Sequence, residues 1–119
     1  PPTPPFPYTT LVRSDDVSIV FASDQNGSSE AFIEFASGAT VLVMHLPVPE
    51  GAEGTALQLH ARPSRVGAVA DDADAGTLVL SHFMARSLRD LDANVDVVRG
   101  GYEGHVVVAD DLTCVVVRN

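Results

Sequence analysis

The sequence predicts an α/β fold with a largely parallel sheet, because short apolar strands alternate with amphipathic helices along the chain. The strands are compact and rich in β-branched residues, as in Val17–Ala22, Ala39–Met44 and Thr77–Leu80. Turn and capping residues follow each strand, and the Asn26-Gly27 pair is the strongest of these signals. The predicted fold class is therefore α/β (α+β).

Three helices are predicted between the strands. The first begins after Ser28 or Ser29, whose hydroxyl can accept a hydrogen bond from an unpaired N–H of the first turn. The second begins near Pro63, where the missing N–H of proline is harmless. The third passes through Leu91 and ends at a pair of glycines, a residue type that is typical of helix C-termini.

Two further apolar segments, His105–Val108 and Thr113–Val117, are predicted as strands joined by an Asp110–Asp111 turn. Cys114 lies within the second segment and is predicted to be a small buried residue rather than a reactive thiol. The predicted order is thus strand, helix, strand, helix, strand, helix, strand, strand.

Composition limits the classes of function. The chain has 119 residues, enough for one domain, and a net charge of -9 disfavours a broad surface for nucleic acid or anionic membranes. All seven basic residues are arginine, a composition typical of a GC-rich bacterial genome, such as a metagenomic source would supply. There is neither a membrane-length apolar run nor the layout of a secretion signal, so we expect a soluble, cytoplasmic protein.

The first 14 residues differ in character from the rest. Five of the first seven are proline, which predicts no strand or helix there. The stretch from Phe6 to Ser14 also resembles the translation of a common sequencing adapter, from which only Val12 departs. We therefore predict that residues 1–14 are a non-native or disordered leader and that the domain spans residues 15–119. The alternative is an extended polyproline segment.

Asp24 and His82 each follow a predicted strand, and His45 ends another. Because ligands gather at the carboxyl ends of strands in open α/β sheets, these side chains could converge although they are far apart in sequence. The residues alone leave other roles open: Asp24 as a turn cap and His82 as a hydrogen-bonded core histidine. His105, which begins a strand, is predicted to be a surface residue.

The segments Ile19–Asp24 and Leu78–Phe83 resemble two motifs of the metallo-β-lactamase-fold hydrolases, in the branch of ribonuclease Z and its arylsulfatase-like relatives. The first resembles a strand ending in Ser/Gly-Asp, and the second a strand reading Leu-x-Leu-Thr/Ser-His-Phe. The resemblance implies that Asp24 bridges two zinc ions and that His82 is a ligand of the second ion. Binuclear zinc activates water and stabilises developing negative charge in such enzymes.

The resemblance also implies roles for His60 and Arg86. His60 lies where a histidine assists catalysis, although Ala61 replaces the usual Ser or Thr after it; the alternative is an exposed loop residue. Arg86 lies where that branch often has an arginine and is predicted to bind an anionic substrate group, the alternative being an exposed surface arginine. From its position after a strand, His45 is predicted to line the substrate pocket or to support the metal ligands, the alternative being a hydrogen-bonded polar residue at the sheet margin.

The family's His-x-His-x-Asp-His motif has no counterpart in this sequence. The resemblance therefore implies the C-terminal half of a four-layer αββα metallo-β-lactamase fold. We expect a truncated zinc-dependent hydrolase that in its intact form cleaves phosphodiester, sulfate-ester or related ester bonds. With two recognisable ligands, the fragment is expected to bind zinc weakly or not at all and to be inactive alone.

The expected partners follow from this interpretation. They are a small-molecule or ester substrate, with RNA only as a substrate, no membrane, and self-association through an exposed sheet face. The alternative function is that of a small non-enzymatic α/β binding or interaction module, in which Asp24 and His82 have no shared role.

Overall fold

The computed structural model describes residues 9–118, and one five-stranded sheet runs through them. The strands are β1 (Thr10–Ser14), β2 (Val17–Phe21), β3 (Val41–His45), β4 (Thr77–Ser81) and β5 (His105–Val108). The helices are α1 (Glu30–Ala36), α2 (Ala56–Leu59), α3 (Pro63–Asp72), α4 (Ala85–Leu88) and α5 (Leu91–Gly101).

The strands lie in the order β1-β2-β3-β4-β5. Strands β2 to β5 are parallel, and β1 is antiparallel to β2. This confirms the predicted α/β class with a largely parallel sheet. Since β2, β3 and β4 are parallel neighbours, their carboxyl ends meet at one edge of the sheet.

Helix α1 begins where the sequence predicts. The Ser29 hydroxyl accepts a hydrogen bond from the N–H of Phe32 at 3.2 Å, which satisfies one of the unpaired donors of the first turn. Phe32 and Ala36 lie on the buried face of this short helix and belong to the main hydrophobic cluster. Their burial holds α1 against the sheet directly after the loop that carries Asp24.

Helices α3 and α5 pack against each other over the sheet. Val66 and Val69 of α3 and Val95 and Val98 of α5 are buried in the same cluster as the inward side chains of the central strands. Gly67 permits the close approach of the two helices, because a Cβ atom there would collide with the backbone carbonyl oxygen of Val98.

The Tyr102 hydroxyl donates a hydrogen bond to the carbonyl oxygen of Ala75 at 2.6 Å. This bond ties the end of α5 to the segment that leads into β4. Burial raises the pKa of Tyr102, and the charges of Asp74 and Asp71 add to the effect. The hydroxyl therefore stays protonated and keeps its donor role well above neutral pH.

The prediction that residues 1–14 join no strand or helix is wrong for Thr10–Ser14. This segment forms β1, paired with β2 through a tight hairpin in which Ser14 faces Val17 and Asp15 has a φ of 52°. The prolines end at Pro7, so the N–H groups of β1 are free to pair with β2. Residues 1–8 lie outside the described part of the chain.

The prediction of a strand at Thr113–Val117 is also wrong. The turn before it does form, with the Thr113 hydroxyl accepting from the N–H of Asp110 at 2.9 Å. Leu112 adopts a φ of 64°, and residues 113–118 form no strand paired with β5. As a result Cys114, predicted to be buried, is exposed. None of the helices in residues 9–118 has the length and apolar character that crossing a membrane requires.

Candidate metal centre

Four side chains that can bind metal converge at the carboxyl edge of the sheet. Asp24 lies in the loop after β2, His45 is the last residue of β3, and His82 follows β4 directly. His60 is the C-terminal cap residue of α2, and its N–H donates to the carbonyl oxygen of Ala56 at 3.0 Å. The predicted convergence of the strand-end residues is thus present in the structure, and His60 joins it.

Distances within the cluster are short. The Nδ1 atom of His45 lies 3.3 Å from Oδ1 of Asp24, and the Nδ1 atom of His60 lies 3.8 Å from the same oxygen. The ring centroid of His82 lies 4.7 Å from that of His45 and 6.1 Å from that of His60. One carboxylate oxygen is therefore faced by two imidazole nitrogens, with a third imidazole beside them.

The two Nδ1 atoms that face Asp24 are buried; that of His60 has no hydrogen-bond partner among residues 9–118, and that of His45 has only its 3.3 Å contact with Asp24. Buried polar atoms are nearly always satisfied in native proteins, so this arrangement calls for an explanation. Two imidazole nitrogens beside a shared carboxylate are a donor set that zinc binds. The residues present therefore fit a metal ion on this side of the cluster.

The backbone turns sharply at both strand ends that carry candidate ligands. Ser23, just before Asp24, has a φ of 58°, and His82 has a φ of 57°. Residues other than glycine rarely adopt this left-handed region, which costs on the order of 1–3 kcal/mol and is concentrated at functional sites. The turns bring Asp24 and His82 to the sheet edge instead of letting each strand continue.

Two hydrogen bonds fix the Asp24 loop to the segment that carries His60. The side-chain amide of Asn26 donates to the carbonyl oxygen of Gln58 at 3.0 Å, and Nε of Arg65 donates to the carbonyl oxygen of Gly27 at 2.6 Å. Gly27 has a φ of 78°, and a Cβ there would collide with the Arg65 side chain. Only glycine accommodates both the turn and the arginine.

The pKa of His45 is lowered, first because burial disfavours its charged form and then because His82 lies beside it, while the charge of Asp24 opposes the shift. His45 is therefore a neutral imidazole at neutral pH, the form that binds metal.

We expect nuclear magnetic resonance titration of the metal-free chain to give His45 a pKa below the ordinary value of about 6.5. Asp24→Asn should lower this pKa further, because it removes the attraction that raises it, and His82→Gln should raise it.

Because the pKa of His45 is lowered on folding, the folded chain binds fewer protons than the unfolded chain just below pH 6.5. Acidification through this window should therefore destabilise the folded chain. His45→Gln should reduce this loss of stability on acidification. A His45 pKa above 6.5 would contradict the lowered value expected for the buried imidazole.

A cavity of about 350 Å³ adjoins the cluster on the His60 side. Arg62 and Arg65 line it together with His60. Sequence reasoning missed these arginines, because nothing in their spacing distinguishes them from helix-surface residues. Arg86, predicted to bind substrate, is exposed on α4, and the lining of this cavity does not include it. His105 is exposed at the start of β5, as predicted.

Known structures share this fold. The metallo-β-lactamase-fold protein YhfI from Bacillus subtilis superposes with a TM-score of 0.73 at 22% identity, over 85% of this chain and 40% of YhfI. The short form of human tRNase Z gives a TM-score of 0.67 at 18% identity, over 92% of this chain and 36% of that protein. The long-form RNase Z of yeast gives a TM-score of 0.54 at 19% identity, over 59% of this chain and 10% of that protein.

No protein-family model matches the sequence, and no curated protein matches it either. The structural matches confirm the predicted metallo-β-lactamase fold, of which residues 9–118 form a part. The chain spans 40% of the length of YhfI and 36% of the length of human tRNase Z.

Proposed function

We propose that this chain carries part of the active site of a metal-dependent hydrolase that cleaves anionic esters, namely phosphodiester, sulfate-ester or related bonds. One observation supports this above the others: a carboxylate and three imidazoles converge at the carboxyl ends of neighbouring parallel strands. Such an arrangement at this edge of the sheet is typical of a catalytic site. Among proteins of the same fold, two are named RNase Z or tRNase Z.

In the proposed site, Asp24 and His82 bind metal, and zinc is the expected ion. Bound zinc would supply a Lewis acid that activates water and stabilises negative charge. His60 lies between Asp24 and the cavity, so its imidazole is placed to orient the substrate or to give a proton to the leaving oxygen. His45, half-buried between Asp24 and His82, would keep the two ligands in place.

The cavity favours a negatively charged substrate. The chain has only seven basic residues against sixteen acidic ones, yet two of its arginines line this cavity. Nη2 of Arg62 donates to the carbonyl oxygen of Ala52 at 3.1 Å, and Nε of Arg65 donates to the carbonyl oxygen of Gly27. Each guanidinium has five N–H donors, so others remain for a phosphate or sulfate oxygen. We therefore propose Arg62 and Arg65, rather than Arg86, as the anion-binding residues.

We further propose that other parts of the metallo-β-lactamase fold supply additional metal ligands. The chain spans less than half of YhfI and of human tRNase Z, and we expect it by itself to be a poor catalyst. Enzymes typically turn over at about 1–1000 per second, and we expect the zinc-loaded chain to be far slower.

The assay is hydrolysis of bis(4-nitrophenyl) phosphate by the chain with added zinc, compared with zinc alone. We expect slow release of nitrophenol that exceeds the zinc blank, because the cluster holds metal beside the cationic cavity. Asp24→Asn should reduce the rate to the blank, while His105→Gln, at an exposed histidine on β5, should leave it unchanged. The hydrolysis of neutral 4-nitrophenyl acetate should be accelerated less over the zinc blank than that of the charged phosphodiester.

Three outcomes would each contradict part of this proposal. Turnover that is equal in Asp24→Asn and the unchanged chain would show that the cluster is not the active site. Absence of any zinc-dependent turnover would favour the alternative, a non-enzymatic binding module. Rapid turnover by the chain alone would instead contradict the proposed need for additional ligands.

A further inference from the structure

We infer that Asp24, His45 and His60 form a binding site for one divalent transition-metal ion within this chain itself. This rests on the proposed function only in that Asp24 binds metal. The ligand set differs from the Asp24 and His82 pair proposed above for the active site with its additional parts, because in this chain by itself it makes His45 and His60 ligands. It also replaces the expectation of weak zinc binding, which followed from two ligands rather than three.

The distances fit one ion. Zinc–nitrogen and zinc–oxygen bonds of about 2.0–2.1 Å in a tetrahedral site place neighbouring ligand atoms about 3.3 Å apart. Oδ1 of Asp24 lies 3.3 Å from Nδ1 of His45 and 3.8 Å from Nδ1 of His60. One donor atom from each residue lies within 4.8 Å of the other two. The two distances to Asp24 are thus within about 0.5 Å of the tetrahedral spacing.

The two buried nitrogens point to the same conclusion. Nδ1 of His60 has no hydrogen-bond partner in the described chain, and Nδ1 of His45 has only its 3.3 Å contact with the Asp24 carboxylate. A metal ion between the three residues would satisfy both nitrogens at once. Each imidazole would keep its second nitrogen as an N–H donor, so a metal-bound His60 could orient the substrate but would not give a proton to the leaving oxygen.

The site is held in place before any metal binds. His45 belongs to the central strand β3, and His60 is fixed by the end of α2 and by the Asn26 bond to Gln58. His45 and His60 are largely covered, with side-chain exposures of 27% and 19%, whereas Asp24 is 56% exposed. The site is thus closed on its histidine side and open to solvent at the carboxylate, as in catalytic zinc sites that keep one position free.

The donor set selects the class of metal. Two imidazoles and one carboxylate suit zinc, cobalt and other first-row transition metals, whereas magnesium and calcium prefer oxygen ligands alone. The chain's net charge of -9 further favours a cation at this edge. His82, whose ring contacts that of His45, would adjoin this site without being needed to hold the ion.

The test is calorimetric titration of the metal-free, full-length chain with zinc chloride, compared across four histidine-to-glutamine variants. We expect one ion per chain. Loss of a supporting group outside a metal site typically costs about 10–100-fold in affinity, so His45→Gln and His60→Gln should each cost more than about 100-fold. His82→Gln should cost less than about tenfold, and His105→Gln, at the distant exposed histidine, should change nothing.

Circular dichroism of the metal-free variants checks that each is folded. A second measurement needs no substitution: zinc should shift the imidazole resonances of both His45 and His60 in the unchanged chain and leave those of His105 in place. Affinity that is lost in His82→Gln but kept in His45→Gln and His60→Gln would overturn this inference and leave the proposed function standing. Absence of one-to-one zinc binding would also overturn it, while the hydrolysis assay judges the proposed function separately.

Discussion

Phe32→Ala should lower the free energy of unfolding by about 3–5 kcal/mol, the typical cost of removing a fully buried aromatic ring. The Phe32 side chain has 0% exposure and is among the largest fully buried side chains of the chain. Since domains of this kind are stable by only about 5–15 kcal/mol, a large fraction of the stability would be lost. Urea unfolding followed by circular dichroism measures the change.

Phe21→Ala is the matched control, because Phe21 is 41% exposed at the end of β2. It removes the same ring from a partly solvated position, so its cost should be well below that of Phe32→Ala. Equal costs for the two variants would contradict the assignment of Phe32 to the core.

Gly67→Ala should destabilise the chain by about 1–3 kcal/mol, although alanine is the better helix former. The added Cβ would collide with the carbonyl oxygen of Val98, so α3 and α5 would have to separate. Because helix α3 directly follows the segment that carries His60, we also expect zinc affinity to fall. Thermal unfolding of the metal-free chain measures the loss of stability, and calorimetric titration with zinc measures the fall in affinity.

Gly100→Ala provides the control within α5. A Cβ there would meet no atom within 4 Å, so the substitution should be neutral or stabilising by up to about 1 kcal/mol. If Gly67→Ala were equally harmless, the close contact between α3 and α5 would not be present in solution.

Much of the fold could be predicted because local sequence and tertiary packing agree. The strand at residues 17–21, the Ser29 cap and the helix starting at Pro63 all follow from short-range signals that the structure keeps. Parallel order could be predicted from the alternation of strands and helices, since each crossover must return over the sheet.

The two wrong predictions of secondary structure concern segments next to the edge strands of the sheet or forming one of them. Thr10–Ser14 follows a proline-rich stretch, so its pairing with β2 could be predicted only by recognising the Asp15–Asp16 hairpin turn. Thr113–Val117 has the composition of a strand but lies beyond β5 and forms no strand after Leu112, whose φ is positive. At an edge, tertiary context decides whether a β-prone segment pairs.

The candidate site was predictable in part. Asp24 and His82 are marked by the motifs around them, and the parallel sheet brings their strand ends together. The contact of His45 and His60 with Asp24 depends on two loops joined by the bonds of Asn26 and Arg65, and no local pattern specifies such long-range contacts. The same holds for the arginines of the cavity, which replace Arg86 in the proposed anion-binding role.

A crystal structure of the chain with zinc, with data collected at the zinc absorption edge, would show where the ion binds and which residues hold it. We expect one anomalous peak at the carboxyl edge of the sheet, within bonding distance of Asp24, His45 and His60. A peak bonded to Asp24 and His82 but to neither His45 nor His60, or a cluster that stays empty at saturating zinc, would contradict it.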